Sequence, residues 1–241
     1  MNKTLLLCGT AGSGKTTVAR HLAIALKHFG YDVLLVDADL STPKLCHHFN
    51  IPLVKRTIQD VLLGKLPLTS ALYQAPSGIK LLLAGLAENP TPLPHPATLL
   101  PQLSTLADIV IIDTPSRDLR FYPLGTETIL VTTPDFPSIL DTKKLTRQTT
   151  VNGIILNRAH HDHLEITPSN ARDIIGKKIL GTIPEEPRMR ETIRNGYSLL
   201  ELYPDNPATA SINQIAANLM NLEYHPPRKS TPLLVKLGIL P

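Results

Sequence analysis

The stretch LLLCGTAGSGKTTVARHLAIAL, residues 5–26, decides the fold of this 241-residue chain. Its centre, GTAGSGKT at residues 9–16, fits the pattern G-x-x-x-x-G-K-[ST], in which backbone N–H groups cradle phosphate oxygens. Glycines allow the backbone angles that point those N–H groups inward. In this pattern Lys15 reaches the β- and γ-phosphates, and the Thr16 hydroxyl binds Mg²⁺.

The residues on either side fit the same motif. Leu5–Leu7 is an apolar run typical of a short buried strand, and residues 18–26 predict a helix whose N-terminus faces the phosphates. The loop is therefore predicted to bind nucleotide phosphates. The residues predicted to do so are Gly9, Thr10, Ala11, Gly12, Ser13, Gly14, Lys15, Thr16 and Thr17.

The composition is that of a folded protein with a mild excess of basic residues. The chain is 42% hydrophobic and carries a formal net charge of +4. No apolar stretch of about 18 or more residues predicts a transmembrane helix, and two isolated cysteines, Cys8 and Cys46, fit a reducing compartment. We therefore expect a cytoplasmic protein. Its basic surface permits attraction to DNA or to anionic lipid without establishing either.

Short apolar runs alternate with helical stretches along the chain and predict the fold. About seven strands are expected, at Thr4–Cys8, Asp32–Asp37, Ile79–Leu83, Asp108–Asp113, Thr128–Thr132, Val151–Leu156 and Ile179–Ile183. This alternation predicts an α/β fold, a mostly parallel twisted sheet flanked by helices, with ligands bound beyond the carboxyl ends of the strands. We predict one P-loop domain at residues 1–225, followed by a proline-marked linker and a short apolar tail at 226–241.

Two of the predicted strands end in aspartates. VLLVDADLSTP at residues 33–43 carries Asp37 and Asp39, and DIVIIDTPS at residues 108–116 carries Asp113. A carboxylate at the end of a strand beside a phosphate loop can hold Mg²⁺ or a water bound to it. The alternative is an aspartate that stabilises a turn or caps a helix.

Further motifs follow the phosphate loop in a distinctive order. They are DADLSTP, GIKLLLAGL, DIVIIDTP, ILVTTPDFPSILDTKKL, VNGIILNR and ILGTIPEEPRMRETIRNG. This series, over residues 3–220, resembles the MinD/ParA family of P-loop ATPases, particularly the MinD-like proteins of archaea. The resemblance implies ATP or ADP and Mg²⁺ as ligands. It also implies a slow ATPase whose nucleotide state controls dimerisation and the positioning or regulation of a partner, as in cell division, cargo positioning or plasmid and chromosome partition.

The resemblance assigns roles to the residues around the phosphates. Lys15 and Asp39 match the catalytic residues, with Asp39 orienting the attacking water. Thr16, Asp39 and Asp113 match the metal-binding residues, and Asp113 acts on Mg²⁺ through a bound water.

The resemblance also assigns a base-binding group. Asn157 matches the asparagine that reads the base, and Arg158, Pro184 and Glu185 match residues that pack near it. In GTPases this motif continues to an aspartate that pairs with guanine. LNRAH at residues 156–160 lacks that aspartate, which favours ATP.

The chain departs from the family at two positions. The family carries a signature lysine directly after the first glycine of the loop, where this chain has Thr10, and SR at residues 116–117 replaces the glycine of the second switch. Because the lysine offsets charge on the partner's phosphates across a dimer, its loss predicts slower hydrolysis or weaker dimerisation. The carboxysome-positioning relative McdA also lacks it. Lys143 and Lys144, which follow Asp141, are the candidate substitutes in trans; the alternative is that both are solvated helix residues.

Two other classes of function stay open. HHDH at residues 160–163 offers the imidazoles of His160, His161 and His163 to a transition metal, as in a maturation factor for a metalloenzyme, although a polar surface loop has the same composition. A small-molecule kinase could use the same phosphate loop, but no arginine-rich lid segment is evident. A nucleotide-gated scaffold with little hydrolysis is a further alternative.

The tail suggests where such a protein would attach. Leu233, Leu237 and Leu240 share one helical face, so residues 230–241 could contact a membrane surface when a dimer pairs two tails. The alternative is docking on the protein's own surface or on a partner. The expected partners are a second copy of the chain when ATP is bound and a protein adaptor or cargo. The expected location is the cytoplasm, with peripheral attachment at the membrane or, through nonspecific DNA contacts of the basic surface, at the nucleoid.

Overall fold

A computed structural model describes residues 2–86, 93–94, 96–116, 127–160 and 162–226. Within these residues eight strands form one sheet in the order β3-β4-β2-β5-β1-β6-β7-β8. The strands are β1 (Lys3–Gly9), β2 (Val33–Asp37), β3 (Leu72–Gln74), β4 (Lys80–Leu82), β5 (Ile109–Asp113), β6 (Glu127–Thr132), β7 (Gly153–Ala159) and β8 (Ile179–Pro184). Every neighbouring pair is parallel except β3 and β4, which are antiparallel.

The predicted fold class is confirmed, and the sheet has one strand more than expected. Each of the predicted runs overlaps an observed strand, and the ends of that strand differ from the prediction by up to three residues. The additional strand is β3, an edge strand of three partly exposed or exposed residues. Its pairing with β4 creates it, because the sequence LYQ has no apolar run of its own.

Helices cover both faces of the sheet. They are α1 (Lys15–His28), α2 (Leu45–His48), α3 (Ile58–Leu62), α4 (Leu100–Leu103), α5 (Phe136–Thr146), α6 (Pro168–Ile175), α7 (Arg188–Arg194), α8 (Leu199–Leu202) and α9 (Pro207–Leu219), with two short 3₁₀ helices at Leu68–Ala71 and Pro96–Leu99. Successive residues of β1 point to opposite faces. Leu5 and Leu7 pack in the core layer that includes α1 and α9, whereas Leu6 packs in the layer that includes α3, α5 and α6.

The strand register brings the predicted functional segments to one edge. β1 and β2 flank β5, with Leu7 and Asp37 both level with Asp113. The phosphate loop begins at the end of β1, so it lies beside both aspartates. On the other side β6 separates β1 from β7, which carries the predicted base-reading residues.

Along the described ranges, no helix is long and apolar enough to cross a membrane. The tail at residues 230–241 lies outside those ranges, and so does His161. The division into residues 1–225 and 226–241 therefore stays a prediction.

Candidate functional site

The phosphate loop joins β1 to α1 and holds the side chain of Lys15 against itself. The Lys15 ammonium donates to the carbonyl oxygen of Thr10 at 2.9 Å and to Oγ of Ser116 at 2.8 Å. The hydroxyl of Ser13 also donates to the Thr10 carbonyl, at 2.9 Å. Burial lowers the pKa of Lys15, although nearby Asp113 opposes this shift. The lysine predicted to bind phosphate therefore lies at the loop, close to a carboxyl group.

Asp37 organises the loop that follows β2. Its side chain is fully buried and accepts hydrogen bonds from the backbone N–H groups of Asp39, Lys44 and Leu45, each at 3.1 Å. Burial raises its pKa to about 6 despite these bonds. These three bonds stabilise the turn after β2, which is the alternative to metal binding that the sequence analysis gave for the aspartates at strand ends.

Asp113 fits a magnesium site better than a structural one. It lies level with Asp37 on the adjacent strand, is 3% exposed, and takes a hydrogen bond from the Thr16 side chain. Burial, followed by the proximity of Asp37, raises its pKa to about 7. Its Oδ1 atom is buried and has no hydrogen-bond partner among the described residues. A buried carboxylate oxygen needs a partner, and Mg²⁺ or its bound water beside Thr16 would supply one.

Asp39 lies on the same loop and its carboxylate binds within that loop. Oδ1 accepts from the Ser41 hydroxyl at 2.9 Å and from the Thr42 backbone at 2.9 Å, while Oδ2 accepts from the Thr42 hydroxyl at 2.8 Å. These bonds stabilise the turn. A role for Asp39 in orienting water stays a prediction, and it requires the carboxylate to exchange at least one of these partners.

Asn157 connects the predicted base site to the phosphate loop. Its amide Nδ2 donates to the carbonyl oxygen of Ser13 at 2.8 Å, and the side chain is 6% exposed. Gly14 makes this contact possible: its φ is +84°, and a Cβ atom there would lie 2.4 Å from Nδ2 of Asn157. The asparagine and the phosphate loop are therefore fitted to one another.

Arg158 lies on the same side as Asn157 because β7 is irregular at this point. Its φ is +61°, and the pairing of β7 with β8 shifts register between Asn157 and Ala159. The guanidinium donates to the Gly12 carbonyl at 3.3 Å and lies 3.6 Å from the carboxylate of Glu185. The backbone N–H of Glu185 donates to the carbonyl of Ala159 at 3.0 Å, which fixes the end of β8 beside Arg158.

The four predicted base-site residues line one cleft. The cleft is lined by Gly14, Thr17, Asn157, Arg158, Pro184, Glu185, Glu186, Met189, Arg190 and Ile193. The last four of these, from the β8–α7 segment, were not predicted. Met189 and Ile193 are four residues apart, which places them on one face of a helix. This spacing in the sequence PRMRETI could have indicated that an apolar helical face lines the cleft.

Lys143 and Lys144 lie away from the phosphate loop of their own chain. α5 begins at Phe136, just after β6 ends at the edge that carries the site, and both lysines are in its last turns. A rise of about 1.5 Å per residue puts them roughly 10 Å further along the helix axis than its first residue. Lys144 is 72% exposed and its ammonium lies 3.1 Å from Asp141. Their action in trans stays a prediction.

The histidine segment after β7 shows no metal-binding arrangement in the described part of the chain. The backbone N–H of His160 donates to both carboxylate oxygens of Glu165, at 2.9 and 3.0 Å. Within the described residues, no three His, Cys, Asp or Glu side chains are grouped to hold a metal ion. His161 lies outside that set, so the predicted cluster is described only at His160 and His163.

Comparisons with known proteins agree with this geometry. Residues 5–199 match the family described as the CobQ/CobB/MinD/ParA nucleotide binding domain. An uncharacterized ATP-binding protein of Methanocaldococcus jannaschii is 32% identical, over 90% of this chain and 86% of its own. A chloroplastic septum site-determining protein MinD homolog of Arabidopsis thaliana is 26% identical, over 90% of this chain and 74% of its own. The structure of the septum site-determining protein MinD complexed with Mg-ADP, from Pyrococcus horikoshii, superposes with a TM-score of 0.83 at 27% identity, covering 91% of this chain and 96% of that one.

Proposed function

Since this chain belongs to the CobQ/CobB/MinD/ParA nucleotide binding domain family, we propose that it binds ATP or ADP with Mg²⁺ and hydrolyses ATP slowly. The observation that carries the proposal is the convergence of three features at one sheet edge: the phosphate loop, Asn157, and Asp113, whose Oδ1 atom has no hydrogen-bond partner within the described ranges. The relatives support the same ligands. One is described as ATP-binding, and the Pyrococcus MinD was solved with Mg-ADP.

The phosphate loop and Lys15 would bind the nucleotide phosphates. Backbone N–H groups of the loop would donate to phosphate oxygens. Lys15 would exchange its contact with the neutral Thr10 carbonyl for one with a phosphate oxygen, in which the donor and the acceptor are both charged. Thr16 and Asp113 would hold Mg²⁺, whose charge offsets that of the β- and γ-phosphate oxygens. Asp39, once released from part of its turn, would orient the attacking water.

The cleft beside Asn157 would take the base. Asn157 offers both a donor and an acceptor at its amide, and Met189 and Ile193 offer apolar contact to a flat ring. No aspartate occupies the position that pairs with guanine in GTPases. Adenine is therefore the favoured base.

We also propose that the nucleotide state controls a homodimer and, through it, a protein adaptor or cargo. Two bound triphosphates brought close together repel, and that charge must be offset for the dimer to persist. Thr10 has no charge to supply, so Lys143 or Lys144 of the second copy would act instead. Dimerisation would also pair two copies of the 230–241 tail, which would strengthen attachment to a membrane; contact of the basic surface with DNA is the alternative form of attachment.

A titration tests nucleotide binding directly. ATP, ADP and GTP are titrated into the protein in the presence of Mg²⁺ by calorimetry, with Lys15→Ala as the variant that removes the phosphate contact. Lys65→Ala removes an exposed lysine elsewhere and is the matched control. We expect ATP and ADP to bind, GTP to bind at least about tenfold more weakly, and only Lys15→Ala to abolish binding. Equal affinity for GTP, or full binding by Lys15→Ala, would contradict the proposal.

Two further measurements separate hydrolysis from the dimer. Phosphate release at saturating ATP measures turnover, and its absence with intact ATP binding would leave a nucleotide-gated scaffold as the function. Sedimentation with and without ATP measures the dimer. A monomer under both conditions would remove the dimer from the proposal and leave nucleotide binding in place.

A further inference from the structure

A cluster of basic side chains lies buried between α1, α2 and the segment that joins α7 to α8. Arg20 and His21 are in the middle of α1, His48 is the last residue of α2, and Phe49 caps that helix. Arg20 is 1% exposed, and His21 is fully buried. The guanidinium carbon of Arg20 lies 5.2 Å from the centre of the Phe49 ring, and Nη2 donates to the carbonyl oxygen of Tyr197 at 2.9 Å. None of these side chains has a role in the proposed nucleotide site.

Three nitrogen atoms of the cluster are buried without a hydrogen-bond partner in the part of the chain that the structure describes. They are Nε and Nη1 of Arg20 and Nδ1 of His48. A guanidinium has five N–H donors in fixed directions, and the bond to Tyr197 uses one of them. Leaving a buried donor unpaired is costly, most of all when the donor is charged. These donors therefore need an acceptor.

His21, the third basic side chain, already has its partners. Its Nε2 accepts from the backbone N–H of Leu199 at 3.4 Å, and its Nδ1 therefore donates to the carbonyl oxygen of Thr17, at 2.8 Å. Both bonds suit a neutral ring, and burial lowers the pKa of His21 to about 3. The donors that need an acceptor are thus those of Arg20 and His48.

The charge around these donors is positive. Burial lowers the pKa of Arg20 to about 10, with Glu201 opposing, so the guanidinium stays ionised at neutral pH. Burial also lowers the pKa of His48 to about 4, and the charge of Arg20 is the next cause, followed by His47 and Lys44. His48 is therefore neutral at pH 7, and in one tautomer its Nδ1 carries a hydrogen to donate. Glu201 is exposed, and its carboxylate binds the backbone in the capping box of α8.

We propose that a small monovalent anion, of the size of chloride, binds between Arg20 and His48. One negative charge matches the single charge of the guanidinium, and the burial of the donors limits the size of the ligand. Hydrogen bonds from a charged donor to an anion are stronger than those between neutral groups. Because Arg20 belongs to α1 and His48 to α2, the anion would hold α2 against α1. α2 begins at Leu45, whose N–H binds Asp37, so the anion would also stabilise the loop after β2.

Unfolding in two salts tests this site in solution. Urea unfolding is measured without nucleotide in potassium chloride and in potassium gluconate, whose anion is too large for a buried site, at equal ionic strength. Arg20→Met and His48→Leu remove the donors, and Arg147→Met is the matched control, because Arg147 is an exposed arginine. Since no nucleotide is present, the result is independent of the proposed function.

We expect chloride to lower the unfolding equilibrium constant of the parent chain about tenfold relative to gluconate, the factor for an anion present at about ten times its Kd. Arg147→Met should show the same ratio, whereas Arg20→Met and His48→Leu should lose most of it. Equal ratios in the parent chain and in Arg20→Met would overturn the inference, because the salt would then act without the guanidinium.

A crystal of the parent chain grown with bromide in place of chloride checks the position. We expect anomalous scattering from one bromide ion between Arg20 and His48. The absence of bromide there, with water as the acceptor instead, would overturn the inference. A bromide ion seen in the crystal while chloride leaves unfolding unchanged would mean binding at crystal concentration only, and would overturn it as well. Since this measurement needs no variant, it decides the inference even if Arg20→Met does not fold.

Discussion

Adding one methyl group to the phosphate loop tests whether Asn157 and the loop form one site. Gly12 and Gly14 both have left-handed backbones, with φ of +77° and +84°. A Cβ atom at Gly12 would meet nothing within 4 Å, whereas at Gly14 it would lie 2.4 Å from Nδ2 of Asn157. Gly12→Ala is therefore a matched control for Gly14→Ala, because only the second variant must displace the asparagine.

The expected magnitudes follow from these contacts. A left-handed alanine costs about 1–2 kcal/mol, and this cost is common to both variants. In Gly14→Ala the buried Asn157 amide also loses its bond to the Ser13 carbonyl, and an unsatisfied buried group costs about 1–3 kcal/mol more. Gly14→Ala should therefore lower the free energy of unfolding by about 1–3 kcal/mol more than Gly12→Ala does.

Two assays check this prediction. Urea unfolding without nucleotide gives the two losses of stability. Titration with ATP and GTP then gives the preference for adenine, which should fall in Gly14→Ala and persist in Gly12→Ala, even though both changes weaken phosphate binding. If the two variants have equal free energies of unfolding, the Asn157 side chain can be displaced from the loop without loss of stability. If their base preferences are equal, Asn157 does not read the base, and either result refutes the reasoning.

Three other changes test the site and its surroundings. Burial lowers the pKa of His21 from 6.5 to about 3, so the stability that the neutral ring contributes is complete above pH 6.5 and is lost as the pH falls towards 3. The free energy of unfolding of the uncharged variant His21→Gln should therefore rise by about 3 kcal/mol relative to that of the parent chain between about pH 7.5 and 4.5. A difference between the two free energies that stays constant over this pH range would contradict the prediction. Asp39→Ala should lower phosphate release while nucleotide stays bound, and unchanged turnover would leave Asp39 a turn residue only. Lys143→Ala combined with Lys144→Ala should weaken any ATP-dependent dimer in sedimentation, and adding Thr10→Lys should restore part of it; an unaffected dimer would exclude both lysines as the cation in trans.

The sequence predicted the parts of the fold whose residues are buried on both sides. Leu5–Leu7 and Ile109–Ile112 are continuous apolar runs because helices cover both faces of the sheet at its centre. β3 lies at the edge of the sheet, where its residues are partly exposed or exposed and do not have to be apolar. The sequence therefore has no apolar run there, and β3 is recognised only by its pairing with β4. The phosphate loop was predicted from residue types and spacing, since its chemistry requires glycines and a lysine in a fixed order.

The contacts across the site could not be predicted in the same way, because they join segments distant in sequence. Ser116 lies 101 residues from Lys15, and nothing in either segment indicates that the hydroxyl and the ammonium meet. The engagement of Asp39 with its own turn depends on how the loop after β2 closes over the Asp37 carboxylate. In both cases the sequence shows the residue types, and only the folded structure shows which groups they bind.

Arg158 shows how the backbone itself assembles the proposed base site. Along a regular strand, Asn157 and Arg158 would point to opposite faces. The left-handed conformation of Arg158 and the register shift beside it break this alternation. Both side chains consequently contact carbonyl groups of the phosphate loop, those of Ser13 and Gly12. A non-glycine residue held at positive φ costs of order 1–3 kcal/mol and persists where its surroundings determine it. Arg158 is held between the Gly12 carbonyl on one side and the Glu185 carboxylate on the other. This strained residue therefore links the phosphate loop to the end of β8 and completes the wall of the cleft.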